Sequence, residues 1–240
     1  MKVVILAGGL GTRISEESHL RPKPMIEIGE RPILWHIMKY YSTFGFNEFI
    51  ICAGYKQYVI KEYFSDYFLH NSDVTFDLSS NSMTIHNNNS ENWKVSVIDT
   101  GLNTMTGGRI KRVQKYIGDE SFMMTYGDGV CDVDLNALLK FHKSHGQTAT
   151  ITMVITAFRE KEERDASLIN GGYMVFNKEI FDYLDSDETI LEKGPLGRLS
   201  SEGQLMGFNH GGFWQCMDTQ REKNKLEELW ASGKAPWKKW

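Results

Sequence analysis

Three groups of residues in this chain could do chemistry on an anion. The first is Gly8-Gly9-Leu10-Gly11-Thr12-Arg13, a glycine-rich turn directly after a short apolar run. Glycines let the backbone approach a phosphate closely, and successive N–H groups form an anion-binding nest. Taken alone, the turn reads equally well as purely structural. It lacks the Lys-Ser/Thr pair of a G-x-x-x-x-G-K-[ST] loop and the spacing of a G-x-G-x-x-G dinucleotide motif, which disfavours a nicotinamide-dependent oxidoreductase. The second group is Arg21-Pro22-Lys23-Pro24-Met25, where prolines on both sides hold the backbone of Lys23 extended. Lys23 would be a point charge on a stiff mount and Arg13 a planar fork; the alternative, a surface lysine in a Pro-bounded loop, is weakened by the glycine loop that precedes it. The third group is acidic: Asp128 between Gly127 and Gly129, and Asp218 ahead of the last amphipathic segment. One or two carboxylates hold Mg²⁺ when substrate phosphates and water complete the shell. By themselves Asp128 reads as a turn residue and Asp218 as a helix N-cap.

The elements that must position these groups follow from periodicity. Lys2 to Leu6 is a continuous apolar run, the pattern of a central strand covered on both faces. Pro32 fits the first turn of a helix carrying Ile33, Ile37, Tyr40 and Tyr41, with Gly45 where it stops. Phe49 to Ala53 is a second strand, and Val59, Ile60, Tyr63, Phe64, Tyr67 and Phe68 stripe the next helix. That aromatic stripe reads as core or subunit interface. Strand and helix alternating in this way imply βαβ units and a parallel sheet. Val74 to Leu78, Met83 to His86 and Lys94 to Asp99 read as short strands of an antiparallel insertion or edge. Beyond them come a helix from Arg109 to Tyr116 opened by Gly107-Gly108, a strand from Phe122 to Tyr126, and a helix from Asp134 to His145. Strands Thr148 to Ile155 and Ile169 to Phe176 follow, and a last helix spans about Thr219 to Trp230. The expected fold class is α/β: a doubly wound, mostly parallel mixed sheet with a small antiparallel insertion, in a single domain over residues 1–240.

Composition narrows the partners. A chain of 240 residues with 41% apolar residues can bury a substantial core, and 24% charged residues is ordinary globular usage. With 27 basic against 31 acidic residues the net charge is −4, which argues against nucleic acid as a partner. No apolar run reaches membrane-spanning length and no signal peptide opens the chain, so the expected location is cytoplasmic. Cys52, Cys131 and Cys216 are too few and scattered for a disulfide framework or zinc site, and the seven His show no ligand spacing. Asp132 and Asp134 read as a helix start rather than as further metal ligands.

Leu6-Ala7-Gly8-Gly9-Leu10-Gly11-Thr12-Arg13, continuing through Ser15-Glu16-Glu17 to Pro22-Lys23-Pro24-Met25, resembles the signature of the sugar-1-phosphate nucleotidyltransferases. The likeness extends through Pro32 to Met38, Asp99-Thr100-Gly101, Thr106-Gly107-Gly108-Arg109, Tyr126-Gly127-Asp128-Gly129, Ile169-Asn170-Gly171-Gly172, Gly212 to Thr219, and Ala235-Pro236-Trp237-Lys238. Within the family it is most similar to the glucose-1-phosphate cytidylyltransferases. The resemblance implies cytidylyl transfer from CTP to glucose 1-phosphate, with Mg²⁺, in a homo-oligomer, for dideoxysugar and lipopolysaccharide synthesis. It also implies roles. Leu6, Ala7, Gly8, Gly9, Gly11, Thr12 and Arg13 would cradle the triphosphate; Thr106, Gly107, Arg109 and Asp128 would complete the nucleotide site. Arg13, Lys23 and Lys161 would be catalytic, Asn170, Gly171 and Lys161 would meet the sugar, and Asp128 and Asp218 would hold the metal.

The chain departs from the family in three places. Glu162 follows Lys161 where the family has Pro. Gly194 and Gly197 stand where glutamates are expected, weakening a helix by about 1 kcal/mol each. The segment after Ile155 is short of a hairpin-like stretch beside the sugar pocket, the expectation being a mobile loop missing from the numbered sequence. A different base or sugar, or a non-catalytic nucleotide-sugar-binding homologue, are the readings that stay open.

Overall fold

The apolar run at the N-terminus is strand β1 (Lys2–Ala7) in a computed structural model that describes residues 1–14, 17, 19–155 and 168–240. Its alternate residues feed two separate cores: Val3, Ile5 and Ala7 join one cluster of buried side chains, Val4 and Leu6 the other. Strand β1 is therefore covered on both faces, as its lack of polar alternation requires.

A tight hairpin of β2 (Glu27–Ile28) and β3 (Arg31–Pro32) comes next, turning at Gly29 and Glu30, both with positive φ. Pro32 caps helix α1 (Ile33–Thr43) from outside instead of sitting in its first turn, and Gly45 follows the end at φ +86°. Strand β4 (Glu48–Ala53) leads to α2 (Gln57–His70). Of the aromatic stripe on α2, Tyr67 is buried, Tyr63 and Phe64 pack on the core, and Phe68 is exposed. Strands β5 (Ser72–Asp77) and β6 (Ser82–Asn88) form a separate antiparallel pair, whereas β7 (Lys94–Asp99) pairs parallel with β4 and belongs to the main sheet. The expected antiparallel insertion is thus confined to β5 and β6.

The helix expected from Arg109 to Tyr116 begins earlier and is broken: α3 (Thr106–Arg112) and α4 (Gln114–Ile117) meet at Val113. Strand β8 (Phe122–Tyr126) returns to β1, and β9 (Gly129–Cys131) leaves the cleft. Helix α5 (Leu135–His145) starts on Asp134, whose carboxylate accepts from the amides of Asn136 and Ala137, as a helix start should. Strands β10 (Ala149–Ile155) and β11 (Leu168–Phe176) pair antiparallel, with Ile155 opposite Leu168. Residues 156–167 join those paired ends; Lys161, Glu162 and the shortened stretch lie outside the described residues, as do Ser15 and Glu16. Helix α6 (Pro195–Ser201), strands β12 (Leu205–His210) and β13 (Trp214–Cys216), and helix α7 (Gln220–Ala231) complete the chain.

Among the described residues, seven strands form the main sheet in the order β12-β10-β11-β8-β1-β4-β7, and of these β11 alone runs against its neighbours. The chain passes from β1 outward to β4 and β7, then crosses back to β8 on the other side of β1. That reversal is a topological switch point, and ligands bind outside the carboxyl ends of strands there.

Candidate active site

A cleft of about 350 Å³ opens at the carboxyl ends of β1 and β8. Leu6, Ala7, Gly8, Gly9, Gly11, Thr12, Arg13, Lys23, Thr106, Arg109, Asp128 and Asp218 all line it. Sequence reasoning named each of these. It gave no site role to Pro24, Thr104, Met105, Tyr126 or Gly127, which line the cleft too. Tyr126 and Gly127 carried a usable signal, lying at the strand end directly before Asp128; Thr104 and Met105 carried none.

The cations and carboxylates interlock. The Lys23 ammonium lies 2.5 Å from both an Asp128 and an Asp218 carboxylate oxygen. Arg13 reaches the other Asp218 oxygen at 2.9 Å with a side chain 73% exposed. Burial works to push the Lys23 ammonium down, but the two carboxylates outweigh it and hold its pKa above the ordinary value. Burial likewise works to raise Asp218, and Lys23 with Arg13 hold it below the usual carboxylate range. Asp218 does not cap α7. Thr219 does, its hydroxyl accepting from the Glu222 amide while the Glu222 carboxylate accepts from the Thr219 amide, a reciprocal capping box. The Asp218 carboxylate is thereby left to face the cleft.

The same geometry tests the fit of a metal. Two carboxylates, one from the turn between β8 and β9 and one from the entry to α7, converge on one point, and the group there is a cation. Hard oxygen donors, with a triphosphate able to supply more, suit a hard divalent ion. Two other donor groups gather among the described residues, Cys216-Asp218-Glu222 and Cys131-Asp132-His210. Glu222 is taken up by the capping box, and His210 bonds Asp132 at 3.0 Å while the Phe213 amide donates to the same Asp132 carboxylate.

Arg109 is placed differently from the other cations. It is 5% exposed, and among the described residues its guanidinium donates to the carbonyls of Gly8, Ala53, Gly101 and Leu102 and to the Thr100 hydroxyl. Burial pushes its pKa down. It ties the glycine loop to the ends of β4 and β7, and a Cβ at Gly8 would fall 2.0 Å from an Arg109 nitrogen. Gly8 is thus required to be glycine by the arginine beneath it.

Gly107 is not brought to the cleft. It donates to the Thr189 carbonyl at 2.9 Å, and a Cβ there would lie 2.7 Å from the Thr189 side chain. Gly108 meets Asp187 in the same way, a Cβ falling 2.6 Å from its Cα. These glycines let residues 187–189 dock on the start of α3. Asn170 and Gly171 line a smaller neighbouring cavity of about 30 Å³ with Tyr126, Asp128 and Trp214. Trp214 donates its indole N–H to the Gly171 carbonyl at 2.7 Å.

The sequence pattern of nucleotidyl transferases matches residues 2–163. The chain belongs to the nucleotidyl transferase family. Two relatives of this nucleotidyl transferase, the glucose-1-phosphate cytidylyltransferases of Salmonella typhimurium and Salmonella typhi, are each 54% identical over 256 residues, covering 100% of both chains. Among solved structures, the inositol-1-phosphate CTP transferase of T. maritima superposes with a TM-score of 0.72 at 14% identity, covering 99% of this chain and 96% of that one. That likeness is one of fold. Nucleotidyltransferases of this family generally use a divalent metal.

Proposed function

We propose that this chain is one nucleotidyltransferase domain that transfers the cytidylyl group of CTP to glucose 1-phosphate, giving CDP-glucose and pyrophosphate with Mg²⁺. The observation that carries this reading is the 54% identity, over the whole of both chains, to the two Salmonella glucose-1-phosphate cytidylyltransferases. The cleft suits it. A sugar phosphate is already ionised at neutral pH, so its oxygen attacks the α-phosphorus in line without a general base. The bond from the α-phosphorus to the bridging oxygen breaks as the new one forms, and pyrophosphate leaves. Catalysis then rests on positioning and on neutralising charge. The backbone from Gly8 to Arg13 cradles the triphosphate; Arg13 and Lys23 offset the charge on the transferring group. Asp128 and Asp218 would hold Mg²⁺, which supplies further neutralisation of the phosphate oxygens. Lys161, Asn170 and Gly171 receive the sugar phosphate.

A Cβ at Gly194 or Gly197 would meet nothing within 4 Å, so a longer side chain at either position would face open space. The chain incubated with CTP, glucose 1-phosphate and Mg²⁺ is expected to release pyrophosphate, and a panel of other triphosphates and sugar phosphates to react more slowly. No release, or preference for another pair, overturns the assignment. Asp128→Ala is expected to lower turnover by at least about a hundredfold; near-normal turnover removes Asp128 from the metal set.

We further infer a cytoplasmic homo-oligomer whose product feeds dideoxysugar synthesis for surface polysaccharide. No described helix is long and apolar enough to cross a membrane. The β5–β6 hairpin supports self-association: Phe76 is 60%, Leu78 90% and Met83 46% exposed, and an isolated two-stranded pair is marginal in water. Sedimentation of the purified chain as a monomer at micromolar concentration would contradict it.

A further inference from the structure

The segment that docks on α3 ends at a carboxylate placed where two residues of the cleft meet. Glu192 accepts from the Thr106 hydroxyl at 2.7 Å through one oxygen and from the Tyr126 hydroxyl through the other. Thr106 in turn accepts from the Leu191 amide at 2.9 Å. The Met105 amide donates to the Asp187 carbonyl at 2.8 Å, and Gly107 to Thr189 as described. Arg112 pairs with Asp187, and Lys111 bonds the carbonyls of Leu184 and Asp185. The carboxylate is therefore mounted on a braced segment, although Glu192 itself is exposed.

Its position within the charge pattern is informative. The anion-binding side of the cleft is built from the glycine loop, Arg13 and Lys23. A carboxylate would repel phosphate, so Glu192 cannot serve that side. It is an acceptor only, with room for about four hydrogen bonds, of which Thr106 and Tyr126 supply two. What it can recognise is a neutral ligand rich in O–H or N–H donors. Tyr126 lines both the main cleft and the smaller cavity of Asn170 and Gly171. A Cβ at Gly172 would lie 2.6 Å from the Tyr126 ring, so the ring is seated against β11. Thr106 lines the main cleft, Asn170 the smaller cavity and Tyr126 both, and the Glu192 carboxylate, which lines neither, stands directly behind the Thr106 and Tyr126 hydroxyls.

We propose that Glu192 is a specificity-determining residue that accepts hydrogen bonds from hydroxyl groups of the acceptor sugar. The proposal rests on the reading of the chain as a sugar-phosphate nucleotidyltransferase, and it assigns the sugar's hydroxyl side to a residue outside the glycine-loop and metal groups. The exocyclic amine of cytosine is a donor of the same chemistry, so the test separates nucleotide from sugar. A hydrogen bond to a charged acceptor corresponds to about 10–100-fold in affinity.

The experiment is steady-state kinetics of the full chain and its Glu192→Gln and Glu192→Ala variants, with CTP binding measured by calorimetry and folding by thermal melts. The expected result is a KM for glucose 1-phosphate raised about 10–100-fold, with CTP affinity within about threefold and the melting temperature unchanged. Monodeoxy glucose 1-phosphates complete the cycle: for the contacted hydroxyl, removal costs the wild type and costs Glu192→Ala nothing further. An unchanged sugar KM overturns the proposal. So does a loss confined to CTP, or parallel losses with a lowered melting temperature, which mark a nucleotide contact or a brace. If the wild type itself turns over none of these substrates, the functional reading fails, and the variants are not needed to see it.

Discussion

His36 is fully buried against the edges and faces of tryptophans, with ring centroids 4.6 Å from Trp230 and 5.3 Å from Trp35. Its Nε2 proton goes to the Ile28 carbonyl at 2.7 Å, while Nδ1 accepts from the Trp237 indole at 3.4 Å. That pairing fixes the neutral tautomer, because a second ring proton would point at another N–H. Burial, chiefly, brings the pKa from 6.5 down to about 4. A depressed histidine pKa stabilises the fold fully above the unfolded value and less as pH falls towards the folded one. Stability should therefore decline between pH 6.5 and about 4, by up to about 3 kcal/mol from this group. His142 and His145, also lowered by burial, act with the same sign. Urea unfolding at pH 7, 5 and 4 reads the slope, and His36→Gln should flatten it. An equally steep slope in the variant would refute the assignment to His36. None of this was legible in the sequence, where His36 is one imidazole on an amphipathic helix; Trp230 and Trp237 come from some two hundred positions away.

At the scale of elements, glycines separate what a sequence discloses from what it hides. The loop at Gly8 to Gly11 announces itself by density, but that Gly8 answers to Arg109 depends on a side chain a hundred residues later. Gly107, within a recognisable motif, is expected in the nucleotide site; it and Gly108 admit the 187–189 segment instead, a packing requirement with no local signature. Gly194 and Gly197 were expected to weaken one helix equally. Gly194 is the N-cap of α6, a position glycine tolerates, and only Gly197 lies inside the helix. With open space around its Cβ and no positive φ, Gly197→Ala should raise stability by about 0.5–1 kcal/mol. A melting temperature unchanged or lowered by this substitution would show that α6 is held by something other than its own propensity.

Across the whole molecule, the parallel half of the sheet was readable because β1, β4 and β8 are buried on both faces and written as unbroken apolar runs. Strand β12 was not, since Gly207 interrupts it and its edge position leaves only His210 buried. The main groups of the cleft were legible because the glycine loop, the Pro-bounded lysine and the two aspartates each lie in a short contiguous motif; the polar contacts of Glu192 were not, because they form between segments with no shared pattern. The Lys23 bridge spans the fold on the same scale, drawing Asp128 from 105 and Asp218 from 195 positions away. It works as a keystone. Because the resting protein carries its own counterion between those two acids, removing divalent metal with a chelator should abolish turnover and leave the melting temperature where it was. Because the keystone joins early and late parts of the chain, activity on titration with urea should disappear together with the global transition instead of ahead of it. The protein can be disarmed without being loosened, and cannot be loosened without being disarmed.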